Sequence, residues 1–482
     1  MQASLQLGEF LGDNRGALQR WFGANASAQI RANPDSLRGF IDRDVIMLDG
    51  MIARQLDEIL HHPSLQRLEG SWRGLFWLAD GLDPVAQVTV RVLSLTWREA
   101  ARDLDRAIEF DQSLLFQLIY EAEFGTAGGE PYGLLVIDHE LRHRPAGRDQ
   151  SGGAPVDDVS TIASLASVAA AAFAPIVIAA SPALLGVDRF EDLALSLDPA
   201  AAMRGPDYAR WQSMTLKADM RFVGAVLPRV LARPPWRPDP RRTDGFRYRE
   251  RTPTSADRCW SVACYAFALA VARAHALFGW PADIRGAEPD RVGGGLVFDL
   301  AAEPFCLGPD TMWDRAPVDL IFTDAQEQSL ASAGLMPLAM MAHGDEAVFA
   351  SVGSLQSLPP EEPGREPTPA AANAQRSTQL NTMLCVSRFA HTLKVMGREL
   401  VGSLATSAEV ERRLQSWLSG YTNTSVGAGI DSRARHPLLS SAVKVQEVAG
   451  RPGNFTCVMQ LQPYYQIDDV SASFRLVTNL TS

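Results

Sequence analysis

The uncharged stretch IASLASVAAAAFAPIVIAASPALLG, residues 162–186, decides what kind of protein this chain can be. It is long enough to cross a bilayer, but Pro175 and Pro182 divide it, and its first half holds small Ala and Ser rather than Leu and Ile. We therefore interpret residues 164–173 as an Ala-rich buried helix and residues 176–180 as a buried strand. No membrane insertion is expected.

The bulk composition is that of a folded protein. Apolar residues make up 46% of the 482 residues and charged residues 21%, which is ordinary globular composition. A chain of this length exceeds what one hydrophobic core usually serves, so two packed units are expected. The formal net charge of −11 disfavours a nucleic-acid partner, because a phosphate-binding surface needs concentrated Lys and Arg.

The cysteines and the N-terminus indicate a cytoplasmic protein. The five cysteines are Cys259, Cys264, Cys306, Cys385 and Cys457. They form no C-x-x-C pair and have no His at zinc-ligand spacing, which favours buried, reduced thiols. Residues 1–21 mix charged and apolar residues, unlike the basic start and uninterrupted apolar run of a secretion signal. We expect neither a metal nor a cofactor.

Helical and strand periodicities alternate over the first part of the chain. Apolar residues recur at helical spacing over 41–59, and this helix must end before Pro63. Val and polar residues alternate over 88–92, which predicts a half-buried strand, and helical spacing returns over 97–110. Residues 133–137 predict another strand. The fold class is therefore α+β, with mixed helices and sheets.

A stretch dominated by Pro, Glu and Gly, residues 358–371, has no apolar periodicity and predicts a linker. We place a domain boundary there. The predicted divisions are an N-terminal arm (1–40), a main domain (41–357), a Pro-rich linker (358–375) and a C-terminal domain (376–482).

The C-terminal domain is predicted to be a small α+β unit, with two helices followed by antiparallel strands. Residues 380–400 carry a helical apolar stripe, and TSAE at 406–409 matches the capping box that opens a second helix. Residues 443–448 and 455–461 alternate as the strands of a hairpin, and residues 474–480 continue as a third strand.

A sheet this small has exposed edges, and unpaired edge N–H and C=O groups invite strands from another chain. We therefore expect the hairpin and the first segment of the chain to join subunits. The candidate interface residues are Val443, Val445, Val448, Phe455, Val458 and Leu461. The alternative is that these residues fill the core of the small domain itself.

The sharpest catalytic candidate is HELRH at 139–143, which matches the H-E-x-x-H pattern of zinc proteases. That chemistry needs a helix, because only helical spacing puts His139 and His143 on one face beside Glu140. The pattern directly follows a strand-like run, and Pro145 begins a loop right after it. A chance match is our preferred interpretation, and a zinc hydrolase using these three residues is the open alternative.

Two further clusters have simple structural interpretations. The glycines at 293–295 lack the Lys-Ser/Thr of a phosphate cradle, which favours a tight turn into a strand at 296–298. Trp72, Phe76 and Trp77 are assigned to the core. Because no catalytic constellation is present, we do not expect an enzyme.

Long runs of sequence carry a family resemblance. The longest are LDEILHHP (56–63), LEGSWRGL (68–75), GEPYG (129–133), GGG (293–295) and VSRFAH (386–391). Over almost its whole length the chain resembles the large subunit of the type VI secretion contractile sheath, the TssC/VipB family. The resemblance implies a structural protein with a contractile tail-sheath-like fold.

The resemblance also implies partners. Large subunits of this family pair with a small sheath subunit of the TssB/VipA type, and many pairs, including neighbouring copies of the large subunit, stack helically on a baseplate around a tube of Hcp rings. Contraction then drives the tube outward to inject effectors, and an AAA+ unfoldase, ClpV, disassembles the spent sheath.

The sequence departs from the family pattern in two places. CWSV at 259–262 stands where a Trp-Gly-Asn sequence is usual, and the segment before the first signature is shorter than the N-terminal arm of many members. Recycling by ClpV is therefore left open, and so is the status of a divergent second large-subunit paralogue. A phage-like or extracellular contractile sheath, which needs no small partner, is the alternative function.

Overall fold

The structure of the chain is a computed structural model. It describes residues 13–33, 35–126, 128–145, 155–241, 243, 245–288, 291–308, 311–341, 346–358, 378–401, 406–423, 425, 429–447, 455–463 and 474–480. The chain forms two compact units. One comprises the chain up to Leu68 with Pro234–Cys259, and the other comprises Glu69–Arg233 and Trp260–Ser482.

Helices and strands are mixed along the chain, which confirms the predicted α+β class. The longer helices are α1 (Arg15–Ala32), α2 (Ser36–Leu60), α3 (Pro63–Asp80), α4 (Trp97–Arg106), α5 (Asp158–Ala172), α6 (Ala209–Thr215), α7 (Cys264–Phe278), α8 (Asp324–Ser332), α9 (Leu380–Val401), α10 (Ser407–Ser419) and α11 (Ile430–Arg435). The strands are β1 (Leu135–Leu141), β2 (Ile176–Ala180), β3 (Val223–Leu227), β4 (Val230–Leu231), β5 (Trp260–Ser261), β6 (Leu296–Val297), β7 (Glu303–Gly308), β8 (Thr311–Arg315), β9 (Leu335–Pro337), β10 (Ala339–Met340), β11 (Ala347–Val348), β12 (Leu438–Glu447), β13 (Phe455–Pro463) and β14 (Phe474–Leu480).

In the first unit, α1 and α2 pack around a small apolar cluster. Leu18, Ile30 and Leu37 are buried there, and the rings of Phe22 and Phe40 lie 6.0 Å apart beside them. This cluster covers only the beginning of α2. The predicted helix at 41–59 is confirmed, but the apolar side chains along it stay largely exposed.

The core of the second unit is a four-stranded parallel sheet with the order β1-β2-β3-β9. Ile176 and Ile178 of β2 pack in the cluster that contains α5, whereas Val177 and Ala179 pack in the cluster that contains α7. Successive residues of a strand point to opposite faces, so both faces of β2 are covered. β1 stands at one end of the order and has a single strand neighbour among the described residues.

The stretch 162–186 lies inside this core as a helix followed by a strand, as predicted. The helix begins earlier than predicted, at Asp158, and ends where Phe173 adopts a left-handed conformation with φ 51°. β2 then occupies the predicted positions. Among the described helices, none is long and apolar enough to span a bilayer.

The helix α9 is shared between two cores, and its presence confirms the predicted helix. Leu380 and Leu384 pack in the cluster that contains α7 and the odd-numbered residues of β2. Cys385, Val386 and Phe389 pack in the C-terminal cluster. One rigid element therefore connects the central sheet with the C-terminal strands.

The C-terminal strands form an antiparallel sheet with the order β12-β13-β14, so the predicted hairpin and third strand are confirmed. The second predicted helix is α10. Thr406 precedes it as the N-cap residue, but its side chain makes no capping hydrogen bond, so the predicted capping box is not closed.

The predicted strand at 88–92 is wrong as an element of this chain. Within the described residues, 87–96 belong to no helix or strand, and no ladder joins them to a sheet. The following helix also ends earlier than predicted, at Arg106, because Ala107 is extended. Trp72 and Phe76, expected in the core, are 61% and 70% exposed.

Candidate assembly surface

The C-terminal sheet holds the residues that the sequence analysis assigns to a subunit interface. Four of them are buried in the C-terminal cluster of the chain itself: Val443, Val445, Phe455 and Leu461. Val458 is half-buried, and Val448 lies outside the described residues. The buried side chains point into the domain, so an incoming chain would have to contact backbone or outward-facing side chains here. The interface stays a prediction.

The outer edge of β12 is covered by two side chains of α10. Gln415 accepts the N–H of Val443 at 3.0 Å and donates to the carbonyl of Ser441 at 3.2 Å. Glu411 accepts the N–H of Val445 at 2.9 Å. These bonds take the place of a neighbouring strand, since edge groups left unpaired would attract one. The sequence did not predict this cover, because nothing in the pattern of α10 marks the residues that reach the sheet.

An aromatic cluster joins α9 to α10. Trp280 stacks on Phe389 with ring centroids 4.1 Å apart, and the edge of Tyr421 packs against Trp280 at 4.8 Å. Trp417 packs against Tyr421 at 5.2 Å. Large rings in mutual contact contribute much of the burial in a small core, so this cluster stabilises the position of the C-terminal sheet on α9.

A lysine on α9 lies among three aromatic rings from earlier in the chain. The ammonium of Lys394 lies 4.8 Å from the ring of Tyr120, 4.9 Å from Phe124 and 5.2 Å from Phe173, and it donates to the hydroxyl of Tyr120 at 3.1 Å. Tyr120 belongs to a π-helical turn, Gln117–Glu121, a rare local geometry. Cation–π contacts of this kind stabilise a partly desolvated ammonium.

His391, one turn before this lysine, is buried against α5. Its Nε2 lies 2.9 Å from the carbonyl of Ala172, and because a carbonyl can only accept, Nε2 carries the proton. Burial lowers the pKa of His391 to about 4, and the positive charges of Arg388 and Lys394 act in the same direction. His391 is therefore neutral at physiological pH and serves the packing of α9.

The H-E-x-x-H pattern lies on a strand and not on a helix. Residues 139–141 are the end of β1, as the strand-like context predicts. The imidazole of His139 stacks on Trp97 with ring centroids 4.5 Å apart, and its Nε2 lies 3.2 Å from a carboxylate oxygen of Asp158. His139 thus belongs to the joint between β1 and the helices α4 and α5.

The other two residues of the pattern have partners of their own. Both carboxylate oxygens of Glu140 accept from the guanidinium of Arg229, at 2.5 and 2.8 Å. The ring of His143 stacks on Tyr208 at 3.9 Å, and burial lowers the pKa of His143. Three side chains engaged with three different partners do not converge on one metal position, which contradicts the zinc-hydrolase alternative.

The glycine run forms the predicted turn. Gly294 has φ 61°, and a Cβ there would lie 2.3 Å from the carbonyl oxygen of Gly286, so only glycine fits. The carboxylate of Asp283 accepts the N–H of Gly294 at 3.0 Å and pairs with Arg291 at 2.7 Å. The chain then enters β6. The carboxylate of Asp283 stabilises this turn. A phosphate-binding loop would need an anion-binding surface at this place, and a carboxylate does not provide one.

A large part of α2 is apolar and open to water. The exposed residues are Ile41, Val45, Ile46, Met47, Leu48, Met51, Ile52 and Ile59. Exposed apolar surface of this extent is typical of a face that another protein covers. Helical spacing predicts the helix but not this face, because spacing alone does not reveal which apolar residues find partners within the chain.

Comparison with known proteins identifies the family of the chain. The profile of the EvpB/VC_A0108 tail sheath N-terminal domain matches residues 42–356, and that of the EvpB/VC_A0108 tail sheath gpW/gp25-like domain matches residues 369–480. The chain is also 33% identical over 448 residues to the type VI secretion system sheath protein TssC1 of Pseudomonas aeruginosa, covering 92% of this chain and 86% of that protein. The chain therefore belongs to the family of type VI secretion system sheath large subunits, the TssC/VipB family.

Proposed function

We propose that this chain is a cytoplasmic, non-enzymatic building block of a contractile sheath. In this function it pairs with the small sheath subunit, and the pairs polymerise with neighbouring copies around a tube of Hcp rings. Contraction of the lattice then drives effector injection. The observation that carries the proposal is the match of both sheath-domain profiles, in order, within a chain related to TssC1 over most of its length.

The exposed apolar face of α2 supports an assembling protein. Water-exposed Val, Ile, Leu and Met side chains in this number lower solubility unless another chain covers them. In the proposed lattice, each copy has several neighbours that can do so. The division into an arm (1–40), a main domain (41–357), a linker (358–375) and a C-terminal domain (376–482) belongs to the same proposal.

The remaining partners follow from the proposed role. We assign the baseplate as the platform on which the sheath starts, and ClpV as the unfoldase that takes spent sheaths apart. The strands β12 and β13 are proposed to contribute to subunit contacts through their backbone and outward side chains, including Val458, since Val443, Val445, Phe455 and Leu461 are buried.

The proposal is tested by co-expressing the chain with the small-subunit gene of the same secretion cluster and examining the purified product by negative-stain electron microscopy. Long striated tubes are expected. Soluble complexes without tubes would contradict polymerisation and point to an auxiliary paralogue that needs a second large subunit.

A phage-like or extracellular sheath is distinguished in the same preparation. Its subunit is self-sufficient, so the chain expressed alone would be soluble and would form tubes without the small partner. A stable monomer that retains stoichiometric zinc, and loses it in His139→Ala or His143→Ala, would contradict the structural role altogether.

A further inference from the structure

The helix α2 carries a row of apolar residues with the spacing of a coiled-coil seam. The row, called here the α2 stripe, alternates steps of four and three residues and ends one heptad after its fourth member: Ile41, Val45, Leu48, Ile52 and Ile59. Such steps place side chains at the a and d positions of a heptad, along one line of the helix. The stripe therefore has the geometry against which a second helix packs.

The α2 stripe is open to water. Its five side chains are between 41% and 49% exposed, and none of them belongs to an apolar cluster of the described residues. Single exposed apolar residues are common on protein surfaces, but a row with heptad spacing is typical of a face that packs against another helix. The described part of the chain therefore leaves this row only partly covered.

The helix is held in position by contacts within its own unit. Towards its beginning, the indole Nε1 of Trp21 donates to the carboxylate of Asp44 at 2.7 Å. Near its end, the hydroxyl of Tyr248 donates to the carboxylate of Asp57 at 2.7 Å. These bonds join α2 to α1 and to the segment Pro234–Cys259 of the same unit. The surface of the stripe is therefore formed before any partner binds.

The charges that flank the α2 stripe are acidic. When Val45, Ile52 and Ile59 are taken as a positions, the neighbouring e and g positions hold four carboxylates and no Lys or Arg. The four are Asp42, Asp44, Asp49 and Glu58. Within the described residues, Asp49 and Glu58 form no ion pair. Both margins of the stripe are thus negatively charged.

The arginines of α2 do not neutralise these margins. Arg43 and Arg54 occupy f and c positions, on the side of the helix away from the stripe. Arg38, before the stripe, lies 3.9 Å from the carboxylate of Asp42, but both side chains are mostly exposed, so this pair contributes little. An apolar centre with acidic margins is complementary to a partner with an apolar centre and basic margins.

We propose that the α2 stripe docks an amphipathic helix of a different polypeptide, one whose aliphatic residues are flanked by Lys and Arg. This inference rests on the proposed function, which supplies neighbouring chains, and deepens it by stating the chemistry of the segment that covers α2. The aliphatic side chains of the partner pack between those of the stripe, and its basic side chains pair with the carboxylates at the margins.

The same charges disfavour α2 of a second copy as the partner. In a parallel pair of helices each g position faces an e position of the other helix, and in an antiparallel pair e faces e and g faces g. Both arrangements bring carboxylates against carboxylates here, which destabilises the pair. The first twelve residues of the chain are no better match, because Glu9 is their only charged side chain.

The first test measures how two designed peptides bind to the full chain. Both peptides repeat a heptad with Ile at a and Leu at d, and they differ only in having Lys or Glu at every e and g position. Fluorescence anisotropy at low salt should show about tenfold or tighter binding of the Lys peptide, and added salt should reduce this preference. Equal affinities, or a preference for the Glu peptide, overturn the proposal.

Charge reversal on α2 locates the binding site. The triple variant Asp42→Lys, Asp49→Lys, Glu58→Lys should reverse the preference, so that the Glu peptide binds about tenfold more tightly than the Lys peptide. A triple variant that still prefers the Lys peptide as strongly as the wild-type chain does would place the binding elsewhere and overturn the proposal.

A matched control separates this site from the general negative charge of the chain. The variant Asp80→Lys, Asp105→Lys, Glu121→Lys changes the net charge by the same amount at exposed positions outside α2, and it should keep the wild-type preference. If both triple variants lose the preference to the same extent, the attraction is non-specific and the proposal is overturned.

Serine substitutions test the apolar part of the stripe. Val45→Ser and Ile52→Ser should each weaken binding of the Lys peptide by about tenfold, because the partner loses apolar contact. Ile46→Ser, at an exposed b position outside the stripe, is the matched control and should bind as the wild-type chain does. All three positions are exposed, so folding should be retained, which circular dichroism and thermal unfolding check. Wild-type affinity in both stripe variants overturns the proposal.

Two other occupants of the stripe give distinct outcomes. If Leu7→Ser with Phe10→Ser raises the affinity for the Lys peptide by about tenfold, the chain covers the stripe with its own first residues. If the free chain is a dimer that Ile52→Ser converts to a monomer, a second copy covers it. Either result overturns the proposal.

Failure of the site and failure of the proposed function are distinguishable. Striated tubes formed by a chain without any peptide preference would remove the docking site and leave the proposed function in place. A peptide preference with the expected response to the variants, in a chain that forms no tubes with the small subunit, would leave the site in place and contradict the proposed function.

Discussion

The strand β13 and residues 88–95 are the same kind of sequence in two different situations. Both alternate apolar with polar residues over part of their length. β13 has β12 on one side and β14 on the other, and its alternate residues fill the C-terminal cluster. Residues 88–95 have no strand on either side within the described chain, and four of their apolar residues are exposed: Val90, Val92, Leu93 and Leu95.

Alternation therefore predicts a strand but does not tell where the partner of that strand lies. Apolar residues on one face of a strand report only that something will cover that face. In β13 the cover comes from the same polypeptide. For residues 88–95 no strand of the described chain provides it.

The largest expected effect on stability comes from one of a matched pair of leucine-to-alanine substitutions. Leu461 on β13 is 0% exposed, so Leu461→Ala should destabilise the C-terminal sheet by about 2–5 kcal/mol. Leu93→Ala in the free chain should change stability by no more than about 0.5 kcal/mol. Hydrogen exchange of peptides covering residues 455–463 measures the first change, and the thermal unfolding midpoint of the whole chain checks the second. Equal losses of stability would contradict the contrast between a strand paired on both sides and a segment without strand partners.

The stability of the C-terminal sheet, which packs on α9, should depend on pH. The unfolded chain binds a proton at His391 below its ordinary pKa of 6.5, whereas the folded chain does so only near 4. Stability is therefore complete above pH 6.5 and falls by about 3 kcal/mol as the pH drops towards 4. The amides of β13, which packs on α9, should lose protection over this range, after correction for intrinsic rates.

His391→Gln is the control for this dependence. The glutamine amide can still donate to the carbonyl of Ala172 but does not titrate, so the difference in protection between pH 7 and pH 4.5 should shrink. Residues 88–95 should exchange at near-intrinsic rates in both proteins and at both pH values. An unchanged pH profile in the variant would assign the effect to other groups.

The smallest expected effect concerns the covered edge of β12. Glu411→Ala removes the acceptor for the N–H of Val445, and because Glu411 is only half-buried, the loss should be about 1 kcal/mol. Glu411→Gln keeps an acceptor and should be near neutral. With Gln415→Ala added, the edge is bare, and light scattering should detect concentration-dependent self-association. A monomeric double variant would mean that the cover is not what keeps this edge from pairing.

Much of the fold was predictable because its signals are local. The helix and strand within residues 162–186 follow from the two prolines and the change of composition, and the hairpin around β12 and β13 follows from period-two alternation. These patterns depend on the chain burying its own apolar face. The prediction for 88–92 was wrong for the same reason, since it assumed a partner within the chain.

The assembly surface was less predictable. The burial of Val443 and Leu461 depends on α9 and α10 packing over the sheet, and the cover of β12 depends on Gln415 reaching across to it. Aromatic residues are usually buried, which predicts a core position for Trp72, yet it lies exposed on α3. Each of these outcomes is set by tertiary contacts over long sequence separations, which periodicity does not report.

The anchoring of residues 88–95 also bears on how fast a partner can bind. Ordering a disordered backbone costs about 1–2 kcal/mol for each residue, and a segment that must fold on binding pays this during the encounter. Here the pair of Arg91 with Glu123 and the capping box of α4 hold the segment in place beforehand. For any partner that covers the exposed Val and Leu side chains, the entropy loss therefore falls mainly on the partner. Association should then proceed without a slow folding step on this side, so its rate would depend on how often the molecules collide.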